Sequence, residues 1–331
     1  MKTKAPKVMK TKAPKSGKGM DAKAPKAGKG MASAKRYALR DISEIEVEEV
    51  QRTSSEFVSH LSTSTVREHQ IFEKCGSTSH DRSSSIMNVL SSLSLQETLM
   101  NLTTAEHQAY KWIDELDELI VCAHTRGKVV QRYIVALIYF AMNGDEWLNC
   151  RAASSDIQGN CEENERWLDK SHECEWFGIR CDSTGKYSAT DSIASINLKK
   201  NNLQGAIPTE LFLLSDLMAL TLANNKFISG SIPSSVSSLT KLTLLDFSNN
   251  ALSGSLPESI YAMTSLRSIN VASNRIAGIV SENISNLQHL SVLQLNNNEL
   301  SGPVPATGLS ALEDLSKFPV YHFFNILHQS I

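Results

Sequence analysis

The side chains of this sequence that could carry out chemistry are its cysteines, its histidines and a scatter of carboxylates. The sequence has no G-x-S-x-G nucleophile turn, no H-E-x-x-H zinc motif, no phosphate-binding loop and no dinucleotide-binding glycine pattern. The SGKG and AGKG stretches near the amino terminus lack the spacing and the closing Ser or Thr of a phosphate-binding loop. We therefore expect no enzymatic activity and no cofactor.

Thiols and two amides remain as chemically interesting groups. The six cysteines are Cys75, Cys122, Cys150, Cys161, Cys174 and Cys181. Asn101 and Asn283 each begin an N-x-S/T sequon, which makes them glycosylation candidates if the chain is exported. Which cysteines pair depends on the elements that bring them together.

The elements that position these groups repeat along the chain. Five successive segments begin at Ile193, Leu217, Leu242, Leu266 and Leu290, at spacings of 24, 25, 24 and 24 residues. The extra residue of the second segment lies between Phe227 and Gly230. A fixed period of this length is typical of a solenoid.

Turn residues recur at the same place in every segment. Each strand is followed by an asparagine, where a buried amide can satisfy backbone groups at a bend: Asn201, Asn225, Asn250, Asn274 and Asn298. A glycine follows where a positive φ or a close backbone approach is expected: Gly205, Gly230, Gly254, Gly278 and Gly302. Proline then holds an extended bend at Pro208, Pro233, Pro257 and Pro305, whereas the fourth segment has Ser281 in that position.

This pattern, LxxLxLxxNxLxGxIP, resembles the plant-type leucine-rich repeat of receptor-like kinases, receptor-like proteins and polygalacturonase inhibitors. The resemblance extends upstream to about Gln131, through residues that look like the amino-terminal cap of such proteins. It implies an α/β fold in which a right-handed solenoid carries a parallel sheet on its concave face. A helical lead-in and a disordered amino terminus would precede it.

The resemblance also implies how the cap cysteines pair. Cys174 and Cys181 have the family's C-x6-C spacing and would form a disulfide, with Cys150 and Cys161 as the natural second pair. A zinc site using the nearby His172 is the alternative, although no C-x-x-C knuckle is present. The state of Cys75 and Cys122 stays open, and we expect Trp176, Phe177 and Ile179 to cover the first coil.

The predicted organisation follows from these patterns and from composition. Its parts are a disordered basic tail (1–40), a Ser/Thr-rich linker (41–100), an amphipathic helical lead-in (101–145), the cap (146–192), five leucine-rich repeats (193–315), and an irregular carboxyl-terminal cap or truncated repeat (316–331). Apolar spacing predicts two lead-in helices, one from Trp112 to Ala123 and one from Val129 to Ala141. Leu315, Phe318 and Val320 could form a sixth strand, with Pro319 interrupting its hydrogen bonds.

Alternation along the repeat strands predicts which side chains face outward. The candidate binding face consists of Asn197, Lys199, Thr221, Asp246, Ser248, Asn270, Gln294 and Asn296. It is polar, made of small residues and free of aromatic side chains. Recognition of a protein, a peptide or a polysaccharide is the expected function, receptor-like or inhibitor-like, unless the repeats only scaffold another part.

The charge distribution supports a different hypothesis. Residues 1–40 contain 13 Lys and Arg against one acid, Asp21, which leaves the rest of the chain net acidic. Such a tail could contact nucleic acid or anionic lipid weakly, so the alternative function is an intracellular scaffold anchored by this tail. The cysteine cap predicts a secreted or cell-surface domain. The sequence shows no signal peptide and no membrane span, so the compartment and the oligomeric state stay open.

Overall fold

The computed structural model describes residues 64–152, 161, 165–183, 188 and 190–316. They all lie within one compact unit. The predicted basic tail, the linker up to residue 63 and the carboxyl-terminal segment after residue 316 are outside the described residues, as are Phe318 and Val320. None of the described helices combines the length and the apolarity needed to cross a membrane.

The chain begins its described part with a group of helices. In chain order they are α1 (described over 64–75), α2 (Ser79–Leu90), α3 (Gln96–Met100), α4 (Ala105–Lys111) and α5 (Arg126–Ala141). Side-chain caps start two of them, since the hydroxyl of Thr78 accepts from the Asp81 amide and the hydroxyl of Thr104 accepts from the His107 amide. Eleven of the 16 residues of α5 are buried, and this helix is the core of the group.

The folded unit therefore begins earlier than predicted. The linker predicted over 41–100 is wrong for its second part, because residues 64–100 contain α1, α2 and α3. Ile71, Ile86, Leu90 and Leu99 are at most 2% exposed. The abundance of serine in this stretch obscured apolar side chains at helical spacing, and these are sufficient to pack against α5.

The first predicted lead-in helix also differs. α4 ends at Lys111, a single π-helical turn covers Trp112–Leu116, and no helix follows until α5. Three features end the helix: Asp117 turns its carboxylate to Arg132, Ile120 has a φ of 49°, and Cys122 is joined to Cys75. The buried charges thus overrode an apolar spacing that indicated a helix through residue 123.

The cap joins the helices to the solenoid. It holds short 3-10 turns at Gly144–Glu146 and Glu173–Glu175 and the strand β1 (Ile179–Cys181). Trp147, Trp167 and Trp176 are each at most 2% exposed and their rings contact one another in sequence. Ile179 is buried as well, and Phe177 is partly buried against the same core, so this cluster covers the first coil.

Six strands form the main sheet of the solenoid. In spatial order they are β1, β2 (Ile193–Asn197), β4 (Ala219–Thr221), β6 (Leu244–Asp246), β8 (Ser268–Asn270) and β10 (Val292–Gln294). β1 runs antiparallel to β2, and all the other neighbours are parallel. The α/β repeat fold with a parallel concave sheet is thus present.

Each coil has a second short strand, and a 3-10 turn follows it in the first four coils. β3 (Gln204–Ala206), β5 (Phe227–Gly230) and β7 (Ala251–Leu252) make a second sheet, and β9 (Ala277–Gly278) pairs with β11 (Glu299–Leu300). The 3-10 turns are Thr209–Leu213, Ser234–Ser238, Glu258–Ala262 and Glu282–Asn286. The extra residue of the second repeat lies in β5, which is longer than β7.

The asparagines link successive coils, as their recurrence predicts. The amide nitrogen of Asn225 donates to the carbonyls of Leu198 and Leu222, while its Oδ1 accepts from the backbone of Asn201 and Leu203. The residue before each of these asparagines is left-handed: Lys200, Asn224, Asn249, Ser273 and Asn297 have φ between 56° and 62°. The repeat glycines also have positive φ, Gly254 for example at 75°, as expected.

The described chain ends just after the fifth coil. A short helix, α6 (Ala306–Ser310), follows Pro305 and packs against the 3-10 turn Glu282–Asn286. The Ser316 amide donates to the Ser291 carbonyl at 3.0 Å. Ser291 makes the equivalent bond to Arg267, so the coil geometry continues as far as residue 316.

Candidate functional site

The predicted binding residues lie in two adjacent rows across the main sheet. The first row is fixed by strand register and contains Asn197, Thr221, Asp246, Asn270 and Gln294. Each alternates with a buried apolar residue of its own strand, such as Leu245 before Asp246. We call these five residues the central row.

The second row lies two residues further along each strand. It consists of Lys199, Ala223, Ser248, Ala272 and Asn296, aligned by interstrand hydrogen bonds that continue beyond the strands, such as Asn224 N to Ser248 O at 2.8 Å. Three of the five, Ala223, Ser248 and Ala272, are at most 8% exposed. The middle of this row is therefore a floor of small side chains beside the central row.

Asp246 occupies the centre of the concave face. Its Oδ1 accepts from both the amide (3.0 Å) and the hydroxyl (2.7 Å) of Ser248. No ion pair among the described residues includes Asp246; Lys241, on the same coil, pairs instead with Asp216. Among the outward positions of the second to fifth coils, it is the one charged side chain in the two rows.

A groove extends the concave face toward the cap. It encloses about 790 Å³ and is lined by Glu175, Phe177, Arg180, Ser195 and Asn197, among others. Because Ser195 and Asn197 belong to β2 and Arg180 to β1, the groove opens directly onto the first coil. A ligand lying along the central row could continue into it.

Charged side chains form a second cluster inside the molecule. Arg132 of α5 is fully buried and donates to both carboxylate oxygens of Asp117 at 2.8 Å and to Glu173 at 3.1 Å. Its guanidinium lies over the rings of Trp112 (5.2 Å) and Trp176 (5.0 Å). These contacts join the segment that contains Trp112 and Asp117, helix α5 and the cap, and we assign the cluster a structural role.

Electrostatics keep Glu173 of this cluster ionised. Burial alone would raise the pKa of Glu173, but Lys128, at 2.6 Å, and Arg132 outweigh burial and lower it to about 2. Burial also lowers the pKa of Lys128 and of His172, which contacts Lys128. The surrounding charges are satisfied by one another, so none is available for a ligand.

All six cysteines are joined in pairs. Cys174 pairs with Cys181 and Cys150 with Cys161, as the resemblance implies. Cys75 and Cys122, whose state was open, form a third disulfide that connects α1 to the segment before α5. Cys150, Cys161 and Glu165 lie close enough to share a metal ion, but the two sulfurs are bonded to each other, which disfavours the zinc alternative.

The two sequons differ in their surroundings. Asn101 is exposed at the end of α3, and its Oδ1 accepts from the amide (3.1 Å) and the hydroxyl (2.9 Å) of Thr103. Asn283 is exposed in the 3-10 turn Glu282–Asn286, where its amide nitrogen donates to Glu258. Both remain glycosylation candidates.

Sequence reasoning predicted that both rows face outward, but Ser248 of the second row is only 5% exposed, because its hydroxyl turns to Oδ1 of Asp246. It also missed the buried cluster and the third disulfide. Arg132 and Glu173 are 41 residues apart, and nothing in their spacing indicates contact. One signal was present: Lys128, Gln131 and Arg132 interrupt the apolar stripe of α5, and polar residues on a buried helix face require partners. Cys75 and Cys122, 47 residues apart, gave no comparable signal.

Comparisons with known proteins agree with the repeat geometry. A family model described as leucine rich repeat matches residues 215–276. Receptor-like protein 7 of Arabidopsis thaliana is 35% identical over 92 residues, which is 27% of this chain and 9% of that protein. Phytosulfokine receptor 1 of the same plant is 34% identical over 89 residues, covering 26% of this chain and 8% of the receptor.

This chain thus spans less than a tenth of the length of these curated relatives. The solved ectodomain of the Arabidopsis receptor kinase SOBIR1 is 27% identical, with a TM-score of 0.41, over 47% of this chain and 85% of the ectodomain. The repeats of this chain are therefore similar to the leucine-rich repeats of plant receptor-like proteins.

Proposed function

We propose that this protein is a non-catalytic recognition module that binds a peptide or an extended protein segment along the central row of its concave face. The observation that supports the proposal is the arrangement of that row. Five polar side chains are held by consecutive strands, beside a floor of small residues that lets a ligand backbone approach closely. The named relatives are receptors or receptor-like proteins, which agrees with such a role.

We further propose that the module works in an oxidising compartment, at the cell surface or outside the cell. Three disulfides among six cysteines are typical of such compartments and rare in the cytosol. The alternative of an intracellular scaffold rests on residues 1–40, which are outside the described residues. Intact mass of the protein from its native source, with and without reductant and glycosidase, tests the compartment: free thiols would contradict it.

A steric block tests the binding face. The probe is a random heptapeptide library, and the variants are Thr221→Trp on β4 and Asn270→Trp on β8, which place an indole on each of the two strands that flank β6 in the central row. We expect both to reduce peptide capture by at least about tenfold, since a bulky ring prevents backbone approach. Ser234→Trp, on an exposed 3-10 position, is the matched control and should bind like the wild type. Equal capture by all four proteins would refute the assignment of this face.

A further inference from the structure

The charge in the central row provides a basis for ligand selection. Asp246 is flanked in register by Thr221 on β4 and Asn270 on β8, both uncharged. It is half-buried, so a partner would strip part of its hydration on binding. An unpaired carboxylate covered by a neutral ligand would lose water without compensation, whereas a cationic ligand would replace that water with an ionic hydrogen bond.

The carboxylate is already oriented. Oδ1 is held by two hydrogen bonds from Ser248, which leaves Oδ2 as the oxygen with no hydrogen bond among the described residues. One available oxygen suits a point donor such as an ammonium group better than a guanidinium, whose two parallel bonds need both oxygens. The geometry thus favours a primary amine.

Nearby cations leave this preference intact. Lys199 lies two strands away, at a backbone distance of roughly 10 Å, which is about one Debye length at 0.1 M salt. Arg267 precedes β8 and is three residues from Asn270 along the chain, about 10 Å for an extended strand. Neither forms an ion pair with Asp246.

We propose that Asp246 is the specificity-determining residue of the concave face and that it selects ligands carrying a primary ammonium group, from either a lysine side chain or a free peptide amino terminus. Ala223 and Ala272, which flank Ser248 in the second row, leave room for the methylene stem or backbone that carries the ammonium. This inference rests on the proposed function, because it assumes a peptide on the central row.

The test uses two forms of one random heptapeptide library, amino-terminally acetylated and free. Wild-type protein should enrich lysine in the acetylated form if the ammonium comes from a side chain, or bind the free form preferentially if it comes from the terminus. Asp246→Asn, which keeps the shape of the side chain, should reduce the preference for amine-bearing peptides by about tenfold or more, since a hydrogen bond to a charged group is lost. Ser248→Ala should weaken it less, because the backbone amide of residue 248 still holds Oδ1.

Asp216→Asn is the matched control, because Asp216 pairs with Lys241 away from the two rows and its loss should leave the preference unchanged. If peptides bind without selecting an amine, or if Asp246→Asn keeps the selection, the inference on Asp246 is wrong and the proposed function stands. If neither library form binds the wild-type protein, both proposals fail.

Discussion

Arg132 holds together the segment before α5, helix α5 itself and the cap. It is buried with two carboxylates, Asp117 and Glu173, and its guanidinium contacts two indole rings, those of Trp112 and Trp176. Buried ion pairs contribute little when compared with apolar packing, but breaking one leaves an uncompensated charge. We therefore expect the cluster to affect stability mainly when one of its charged residues is removed and another stays buried without its partner.

Replacing Arg132 with Ala should destabilise the fold by about 3–5 kcal/mol, because Asp117 stays buried without its ion-pair partner and Glu173 keeps only Lys128. Arg132→Lys should have an intermediate effect, since an ammonium keeps the charge but loses the bidentate contact. Urea unfolding at neutral pH measures both. The control is Lys241→Ala, which breaks the exposed pair with Asp216 and should change stability little. Equal losses for Arg132→Ala and the control would contradict this account.

Glu173 gives the cluster a pH dependence. Its folded pKa of about 2 is below the ordinary value of 4.5, so its contribution to stability is complete above about pH 4.5 and is lost as pH falls toward 2. Glu173→Gln should lower stability at neutral pH and flatten the fall in unfolding free energy between these limits. Denaturant midpoints measured across that range for both proteins test this, and parallel curves would exclude Glu173 as a source of acid sensitivity.

At the scale of elements, the asparagines act as hydrogen-bonding struts between coils. Each has a buried or half-buried amide that serves its own strand and the preceding coil, as Asn274 does through Leu252, Phe247 and Val271. The first strut is incomplete: Asn201 Oδ1 accepts from Asn149 of the cap, while its amide nitrogen is buried with no partner among the described residues. The cap thus substitutes for a coil only in part.

Asn225→Ala should cost about 3 kcal/mol or more, because it leaves several buried backbone groups unpaired and each costs about 1–3 kcal/mol. Asn286→Ala, at an exposed position of a 3-10 turn, is the matched control and should be close to neutral. Thermal or urea unfolding gives both values. If Asn225→Ala leaves the free energy of unfolding unchanged, water must replace the side-chain amide at this bend.

The disulfide between Cys75 and Cys122 should contribute more than the cap disulfide between Cys174 and Cys181. Their sequence separations are 47 and 7 residues, and chain entropy then predicts about 4 and about 2 kcal/mol. Unfolding of the Cys75→Ser/Cys122→Ser and Cys174→Ser/Cys181→Ser proteins compares them. The opposite order would show that local packing of the cap outweighs loop closure.

At the scale of the whole molecule, the structure is a series of layers, each in contact with its neighbours. The amino-terminal helices pack on the cap and first coil, partly through Ser94, which lies between α2 and α3. Its hydroxyl forms hydrogen bonds with Tyr133 of α5 and with Glu210 of the 3-10 turn Thr209–Leu213. From there the sheet continues strand by strand to β10. A substitution that destabilises one end of the solenoid should therefore affect each coil less the further that coil lies from it.

Hydrogen exchange in the Arg132→Lys protein tests this layering. Protection should fall most in the cap and in peptides covering 193–203, and least in peptides covering 290–300, because coupling passes only between adjacent coils. Wild-type protein under the same conditions is the reference. A uniform loss of protection across the solenoid would instead indicate a single cooperative unit.

How much could be predicted from sequence depended on whether a contact repeats. Asparagine and glycine, as at Asn225 and Gly254, recur at a fixed period with a physical reason for each, so the coils and the strand alternation of the central row were predictable. Arg132 with Glu173 and Cys75 with Cys122 occur once each, between distant residues, so only three-dimensional packing reveals them. The helices over 64–100 were obscured by a serine-rich composition that resembles a linker.

The asparagine struts also bear on how such a chain can change over generations. Each inner coil takes support from the coil after it and gives support to the coil before it, so a duplicated 24-residue coil inserted between two others would satisfy its own hydrogen bonds. The concave face would lengthen by about 4.8 Å per duplication, the spacing of neighbouring strands, and Asp246 would keep its immediate neighbours if the insertion fell elsewhere. Reach and selectivity can therefore evolve separately in this protein, one through the number of coils and the other through single side chains.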